Sequence, residues 1–534
     1  MASSVLADTE LLVIPHQVAL SGDLAPGTNP AISFMHLCRP ILSESGHVAF
    51  EAILDRSMVG QEDDGGIWVW DGSLLSLVAR QGEPSSDFAE LNGPQFAVDA
   101  ALVFTAVDED DQEVIWERRN GVLSHIAGVG DLVPPDSAEL GAFRTRPVPG
   151  PGFVSFAAWV DSFPYPDSFW MWTTRSGLLD TTLPPGTDLP GTDSSSGPVF
   201  DLVVNSAGEH AFHFHNDWPY GESGIWREKD GDLVKIVQGL DFEPDDPDRF
   251  YEGFKWLSCG DARTGFFAFV GGDWPHHRAV YLADDEDLVQ FVTHYDDAPN
   301  LAGAQIRFFS HPQVLDNDQV VLTAALTGDG IDESNNTAIW RGEPDDLQFV
   351  AREGDHIPGL GGDVVIRDFQ AVAVNEDYAA LYVSLFGYTV GDNDRALILI
   401  DPDGDTHLIT RVGDKFDVAG DGSDMRSVKH IGMLPADPER GRSPLNSGGT
   451  IAFLLEFYDG TSGVFTARLT PPCPGDIDGD HDTDQSDLGL LLASYELDPG
   501  DPFFNSNADL NGDGAVGQPD LGILLADYEC DPHE

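Results

Sequence analysis

"GIWREKDGDLVKIVQGLD", Gly224 to Asp241, contains the unit from which most of this chain is built. An apolar run with a Trp leads into Asp230-Gly231, a second apolar run follows, and Gly239 with Asp241 ends the unit. Asp-Gly suits a type I′ hairpin turn, because both central positions of that turn require φ > 0. Runs rich in Val, Ile and Trp on either side of such a turn predict two antiparallel strands. The same order recurs in "GIWVWDG" from Gly66, "VIWERRNG" from Val114 and "AIWRGEP" from Ala338. Gly-acid elements close other units at Gly22-Asp23, Gly82-Glu83, Gly130-Asp131, Gly354-Asp355 and Gly413-Asp414, with Gly186/Asp188 and Asp296-Asp297 as looser copies.

Earlier in each unit lies a third strand with its own lead-in. Asn205 to Phe212 and Asn446 to Phe453 share the pattern NxxGxxAF, and "GHVAF" from Gly46 and "GFFAF" from Gly265 are shorter copies. A fourth, weaker strand precedes it, as in "PQFAVDA" from Pro94. Four strands per unit, repeating every 50 to 60 residues or so, is the arithmetic of a β-propeller. The chain opens with the closing half of a unit (Val13 to Gly27) and ends this region with an opening half (Gly449 to Leu469). With seven whole units between those halves, the sequence predicts an all-β, eight-bladed propeller over residues 1–470. The two halves are expected to share the closing blade, since an open solenoid would need distinct capping repeats. The NxxGxxAF pattern resembles a family of bacterial secreted tandem-repeat proteins named for that motif, whose members carry C-terminal anchoring modules.

Residues 471–534 read differently. "GDIDGDHDTDQSDLGLLLASY" from Gly475 and "ADLNGDGAVGQPDLGILLADY" from Ala508 each place oxygen-bearing residues at the spacing of a calcium loop, positions 1, 3, 5, 7, 9 and 12. In the first loop these are Asp476, Asp478, Asp480, Asp482, Asp484 and Asp487. In the second they are Asp509, Asn511, Asp513, Ala515 through its carbonyl, Gly517 through a water, and Asp520. Every position in the second loop lies 33 residues after its counterpart (509 against 476). Hard oxygen donors at this spacing favour Ca²⁺ over softer metals, and two ions are expected. His481 replaces the turn glycine that the second loop has as Gly514, so the first site should be the weaker. After each loop an apolar face is predicted on a short helix: Leu488, Leu491, Leu492 and Tyr495, then Leu521, Leu524, Leu525 and Tyr528.

Duplicated loop-helix units of this kind resemble a type I dockerin, by which secreted polysaccharide-degrading enzymes bind cohesin domains. The resemblance implies a cohesin-like or cell-surface partner read by Gln485-Ser486 and Gln518-Pro519. A second reading uses calcium only to fold a small terminal cap, since so small a module lacks the core to fold unaided. Cys473 and Cys530 bracket the module and are expected to pair if its ends meet, which fits an oxidising compartment. Cys38 and Cys259 fall on blades four units apart and are expected to stay reduced.

The net charge of −65 disfavours nucleic acid and anionic membranes as partners. No apolar run is long enough to span a bilayer, and "MASSVLADTELLVIP" shows no signal peptide. GxSxG, Walker and HExxH motifs are all missing, as is the Asp-box of sialidase-like propellers. The "HFHND" stretch (His213, His215, Asp217) suits either a metal or an exposed strand face, and "DPDGD" (Asp401 to Asp405) reads as a hairpin turn rather than half a calcium loop. Tyr165, Trp218, Tyr220 and Trp274 fall in equivalent loops of three consecutive units, near Asp217 and Asp273. They form either an aromatic patch for stacking sugars or plugs that pack loop against blade. The expected function is therefore a secreted, non-enzymatic propeller that presents a binding surface, with polysaccharide among its expected ligands. A carbohydrate-active enzyme, hydrolase or lyase, is the alternative.

Overall fold

The computed structural model describes residues 12–60, 63–82, 88–133, 138–162, 165–183, 188–191, 199–215, 223–244, 246–272, 277–284, 287–387, 394–420, 422–437, 442–470, 473–478, 482–497 and 499–530. Eight antiparallel sheets make the chain an eight-bladed β-propeller; the only α-helices among the described residues are two short ones near the C-terminus. Two compact units are distinguished. One is Met1–Gln17, Lys415–Arg426 and Phe465–Glu534; the other is Val18–Asp414 with Ser427–Val464.

In the larger unit, blades 1 to 7 follow in chain order over residues 34–80, 88–128, 132–183, 199–238, 242–293, 304–352 and 365–411. Blade 8 contains Met425–Gly432, which pairs with Ile451–Phe457 in the register Val428↔Phe457 to Gly432↔Leu454. Each sheet is buried on both faces, which explains the near-continuous apolar runs of its middle strands. Ile67 and Ala79 of blade 1 pack with Phe104 and Val114 of blade 2. The pattern continues round to Ile339 of blade 6 against Leu381 and Ile398 of blade 7. Phe34, Phe50 and Trp68 of blade 1 pack with Ala452, Leu454 and Val464 of blade 8. Ser21 and Ser462 meet as well: Ser21 N–H donates to Ser462 O (2.7 Å), and Ser462 N–H donates to Ser21 Oγ (2.8 Å).

The repeated motifs are structural devices. The Gly-acid element is a splice between blades. Gly354 N–H donates to Ile366 O (2.8 Å) and Ile366 N–H donates to Asp355 O (2.9 Å), joining the end of one blade to the first strand of the next. The same reciprocal pair links Gly22-Asp23 to Phe34, Gly130-Asp131 to Leu140 and Gly413-Asp414 to Val428. The aspartate recurs because its carboxylate accepts the N–H three residues back: Gly128 to Asp131 (2.7 Å), Gln238 to Asp241 (2.9 Å) and Arg352 to Asp355 (2.7 Å). Glycine recurs because this position has φ > 0, for example 91° at Gly354. In two units the left-handed position falls instead on Leu240 (70°) and Tyr295 (72°), residues that the motif alone does not single out.

The NxxG lead-in is an Asn-closed turn. Asn205 Oδ1 accepts from Glu209 N–H (2.7 Å) and Asn446 Oδ1 from Thr450 N–H (2.9 Å). Asp401 does the same for Asp405 N–H (2.8 Å), so "DPDGD" is the hairpin turn between strands Arg395–Ile400 and Thr406–Arg411. In three of the four units the recurrent Trp is fully buried and anchors the loop that leads into its blade, whereas Trp116 is half-buried. Trp68 Nε1 donates to Pro26 O (3.1 Å), Trp226 to Pro190 O (3.3 Å) and Trp340 to Pro299 O (3.0 Å).

The first strand of a blade reaches the axis at its C-terminal end. Arg442, from blade 8, donates through Nε to Pro94 O of blade 2 (3.1 Å), passing over blade 1. A Cβ on Gly93 would overlap Arg442 Nη2 and lie 3.4 Å from Arg146 Nη1 of blade 3. Residues of blades 8, 2 and 3 can meet in this way only at the inner edge.

Candidate functional site

In the smaller unit, helix α1 (Gln485–Ser494) and helix α2 (Gln518–Ala526) follow the two acidic loops. Asp484 caps α1, with its side chain accepting from Ser486 N–H (2.6 Å). Asp487 and Asp520, the twelfth residues of the loops, are fully buried. Both accept the same two backbone hydrogen bonds: Asp478 and Asp484 N–H reach Asp487 (3.1 and 2.9 Å), and Asn511 and Gly517 N–H reach Asp520 (3.1 and 2.8 Å). The repeats also exchange a bond: Glu496 N–H donates to Val516 O (2.8 Å), and Glu529 N–H to Thr483 O (2.9 Å). Both residues of the second bond are offset by 33 from their counterparts (529 − 496 and 516 − 483), so the repeats are related by a pseudo-two-fold.

Carboxylate oxygens of Asp476, Asp478 and Asp487 lie within 4.8 Å of one another, as do those of Asp482, Asp484 and Asp487. In the second loop, Asp509 accepts from the N–H groups of Asp513 (3.1 Å) and Gly514 (2.8 Å). Asn511 Oδ1 accepts from Asp513 N–H (2.7 Å) and Asp513 Oδ1 from Ala515 N–H (3.0 Å). Asp480 and His481 lie outside the described residues. Gln485, Ser486, Gln518 and Pro519 are exposed on the first turns of the two helices.

The helix faces need a correction. Leu491 and Leu524 are buried with Ile477, Ala508 and Val516, and Leu488, Tyr495 and Leu521 pack against them. Leu492 and Leu525 are each 55% exposed, and Tyr528 is 38% exposed. Loop residues Ile477 and Val516 fill the space that these side chains were expected to occupy. Cys473 and Cys530 form a disulfide (Cα–Cα 5.9 Å). Cys38 and Cys259 are free, and burial pushes each thiol up to about 11, away from nucleophilic reactivity.

In the propeller, Trp218, Tyr220, Trp274, Asp217 and Asp273 lie outside the described residues, and Tyr165 opens the strand Tyr165–Thr173. His213 is buried, with Nε2 2.8 Å from Ser223 Oγ and Nδ1 3.4 Å from Asp201. It lines a cavity of about 550 Å³ between blades 4 and 5, together with Phe200, Asp201, Lys255, Trp256 and Phe269. Trp256 has φ 57° on a bulged stretch of the strand Asp246–Cys259, and Arg144 lies 4.2 Å over the Phe200 ring. A non-glycine residue held at positive φ beside a cavity marks a position that the surrounding fold imposes. Its aromatic faces, one carboxylate, one ammonium and one imidazole suit a polar ligand with an apolar face. Sequence reasoning singled out His213 but not the site, because Phe200 and Trp256 belong to no shared motif and Phe269 reads only as the end of the GFFAF strand.

A second constellation has the form of a hydrolytic triad. Ser155 Oγ is 2.7 Å from His210 Nε2, and His210 Nδ1 is 2.6 Å from Glu228 Oε2. Ser155 and His210 are fully buried, and the Ser155 hydroxyl donates to Thr173 Oγ1 (3.1 Å). A hydroxyl that donates elsewhere and cannot be reached by substrate is no nucleophile. The trio instead ties blade 3 to blade 4. Arg175 adds its guanidinium to Glu228 and reaches Gly208 O. Burial pushes the Glu228 carboxyl up, but the hydrogen bonds from His210 and Arg175 outweigh it and hold the group at about 2.

Among the described residues, no helix is long and apolar enough to cross a membrane. A search of curated proteins found no match. Among solved structures, the chain is similar to the β-propeller domain of the Trilobed protease from Pyrococcus furiosus, at 11% identity and TM-score 0.36 over 71% of this chain and 96% of that one. It is also similar to prolyl endopeptidases (11%, 0.39, 79% of this chain and 55% of that one). The acylaminoacyl peptidase of Pyrococcus horikoshii matches at 11% and 0.37, over 70% of this chain and 52% of that one. The chain thus spans little more than half of either peptidase. A family model matches residues 14–99 and 92–474, so the chain belongs to the family of unknown function DUF7453.

Proposed function

We propose that this protein is a secreted, non-enzymatic propeller that presents a ligand-binding surface and is attached through a calcium-dependent, dockerin-like C-terminal module. The observation that carries this reading is the crowding of the Asp476, Asp478, Asp482, Asp484 and Asp487 carboxylates around the first loop. A bound cation would relieve the repulsion between like charges held so close together. With Asp480 they would hold one Ca²⁺; Asp509, Asn511, Asp513, Ala515 and Asp520 would hold a second. The ions would supply folding energy and fix the two helices. Exposed Leu492 and Leu525, 33 residues apart, would join Gln485, Ser486, Gln518 and Pro519 in contacting a cohesin-like partner. The Ser21–Ser462 pair and the blade 1–blade 8 core support a ring closed by the two chain ends. For the binding surface, the cavity of blades 4 and 5 suits a saccharide, with Trp256 as the stacking platform.

Calorimetric titration of the full chain with Ca²⁺ tests the tail. Two ions should bind, and calcium should be required for capture on an immobilised cohesin domain. Binding of no calcium overturns the whole attachment; calcium binding without capture leaves a calcium-stapled cap. A glycan array run beside a hydrolysis assay tests the propeller. Product release from any polysaccharide overturns the non-enzymatic reading.

A further inference from the structure

Arginines from three blades meet at the inner edge. Arg39 follows the first strand of blade 1 (Phe34–Leu37), and Arg146 follows the strand Ala138–Phe143 of blade 3. Arg442 lies between the strands Met425–Gly432 and Ile451–Phe457 of blade 8. Arg442 Nη2 and Arg146 Nη1 both fall within 3.4 Å of the point where a Cβ on Gly93 of blade 2 would stand. One carboxylate placed between them can accept from both. Arg442 and Arg39 line one cavity of about 230 Å³, together with Cys38, Ile41, Glu51, Pro94 and Leu434. A Cβ on Gly432 would lie 3.2 Å from Arg39 Cγ, so the stem of Arg39 runs along blade 8.

This cluster runs against the composition of the chain, which has 27 basic residues against 92 acidic ones. The acidic groups beside it are already engaged or neutral. Glu51 accepts from Gly93 N–H (2.6 Å), and burial pushes the Cys38 thiol up to about 11, which keeps it protonated. Glu113 feels the charge of Arg146, yet burial still pushes its carboxyl up. Arg442 is held in place through Nε by Pro94 O (3.1 Å). Arg39 and Arg146 are exposed, and among the described residues neither has an ion-pair partner. A bound anion would relieve the repulsion between these guanidinium groups. The walls select its chemistry. Ile41 and Pro94 are buried and Leu434 is half-buried, so apolar surface lies beside the cations. An organic carboxylate covers that surface, whereas an inorganic anion leaves it wet.

We propose that this axial cavity binds a small organic carboxylate, its charged end held by the guanidinium groups and its apolar body against Ile41, Pro94 and Leu434. The many acids elsewhere do not prevent this, because charges beyond about 8 Å are largely screened at physiological salt. The probe is pivalate, a carboxylate with a compact apolar body and a single proton resonance. It is titrated against the full chain in calcium-containing buffer at physiological salt and followed by saturation-transfer NMR. Saturable binding of pivalate is expected, and none of pivalamide, its neutral isostere. Pivalate binding should weaken about tenfold or more in the Arg39→Gln/Arg146→Gln variant, which removes two cations and their charge-assisted hydrogen bonds. Lys415→Gln, which removes an exposed cation outside the cavity lining, should bind as the parent does. Unchanged thermal unfolding verifies that both variants fold. Absence of saturable pivalate binding, equal binding of pivalamide, equal binding by the double variant, or binding of sulfate in preference to pivalate overturns the proposal.

Discussion

Replacing Glu228 by Gln tests the reading of the buried Ser155–His210–Glu228 trio as a fastener between blades. The Glu228 carboxyl is held at about 2 against an ordinary 4.5, and its side chain is 15% exposed, so solvent screens it little. A tenfold change in proton affinity is worth about 1.4 kcal/mol, which sets a ceiling of about 3 kcal/mol. Because the folded-state value is depressed, this stability is fully present above about pH 4.5 and is lost as the pH falls towards about 2. Urea denaturation of both proteins should therefore show Glu228→Gln less stable by about 2–3 kcal/mol at about pH 7. The gap should narrow steadily below about pH 4.5 as the parent gives up its charge. Comparing the two proteins at each pH cancels the titration of all other carboxylates. Equal stability at neutral pH, or a gap that does not change on acidification, would refute the argument.

Three further outcomes are expected. Trp340→Phe removes the indole donor to Pro299 O and leaves a small void, so it should cost about 2 kcal/mol in a denaturant titration. Leu240→Gly should raise the melting temperature, with a gain of up to about 1 kcal/mol, because Leu240 is 66% exposed and offsets its φ of 70° with little packing. A non-reduced peptide map should yield Cys473 linked to Cys530, with Cys38 and Cys259 alkylated only after unfolding; a Cys38–Cys259 peptide would contradict the blade order.

The sequence by itself determined the strands, the turns between them and the number of blades, because the chemistry involved is local. Asp230-Gly231 must turn, Asn205 closes its turn on a residue four positions away, and an offset of 33 is visible without any coordinates. The purpose of the Gly-acid element was not legible. Gly354 and Asp355 are chosen by a backbone pairing with Ile366, in the first strand of the next blade. Nor could the pattern foretell that Leu492 and Leu525 stay exposed, since loop residues Ile477 and Val516 compete for the same core. The cavity around Trp256 exists only in the tertiary structure. Its members come from different blades, and residues more than fifty positions apart in sequence, such as Phe200 and Trp256, become neighbours only because a ring sets its repeats side by side.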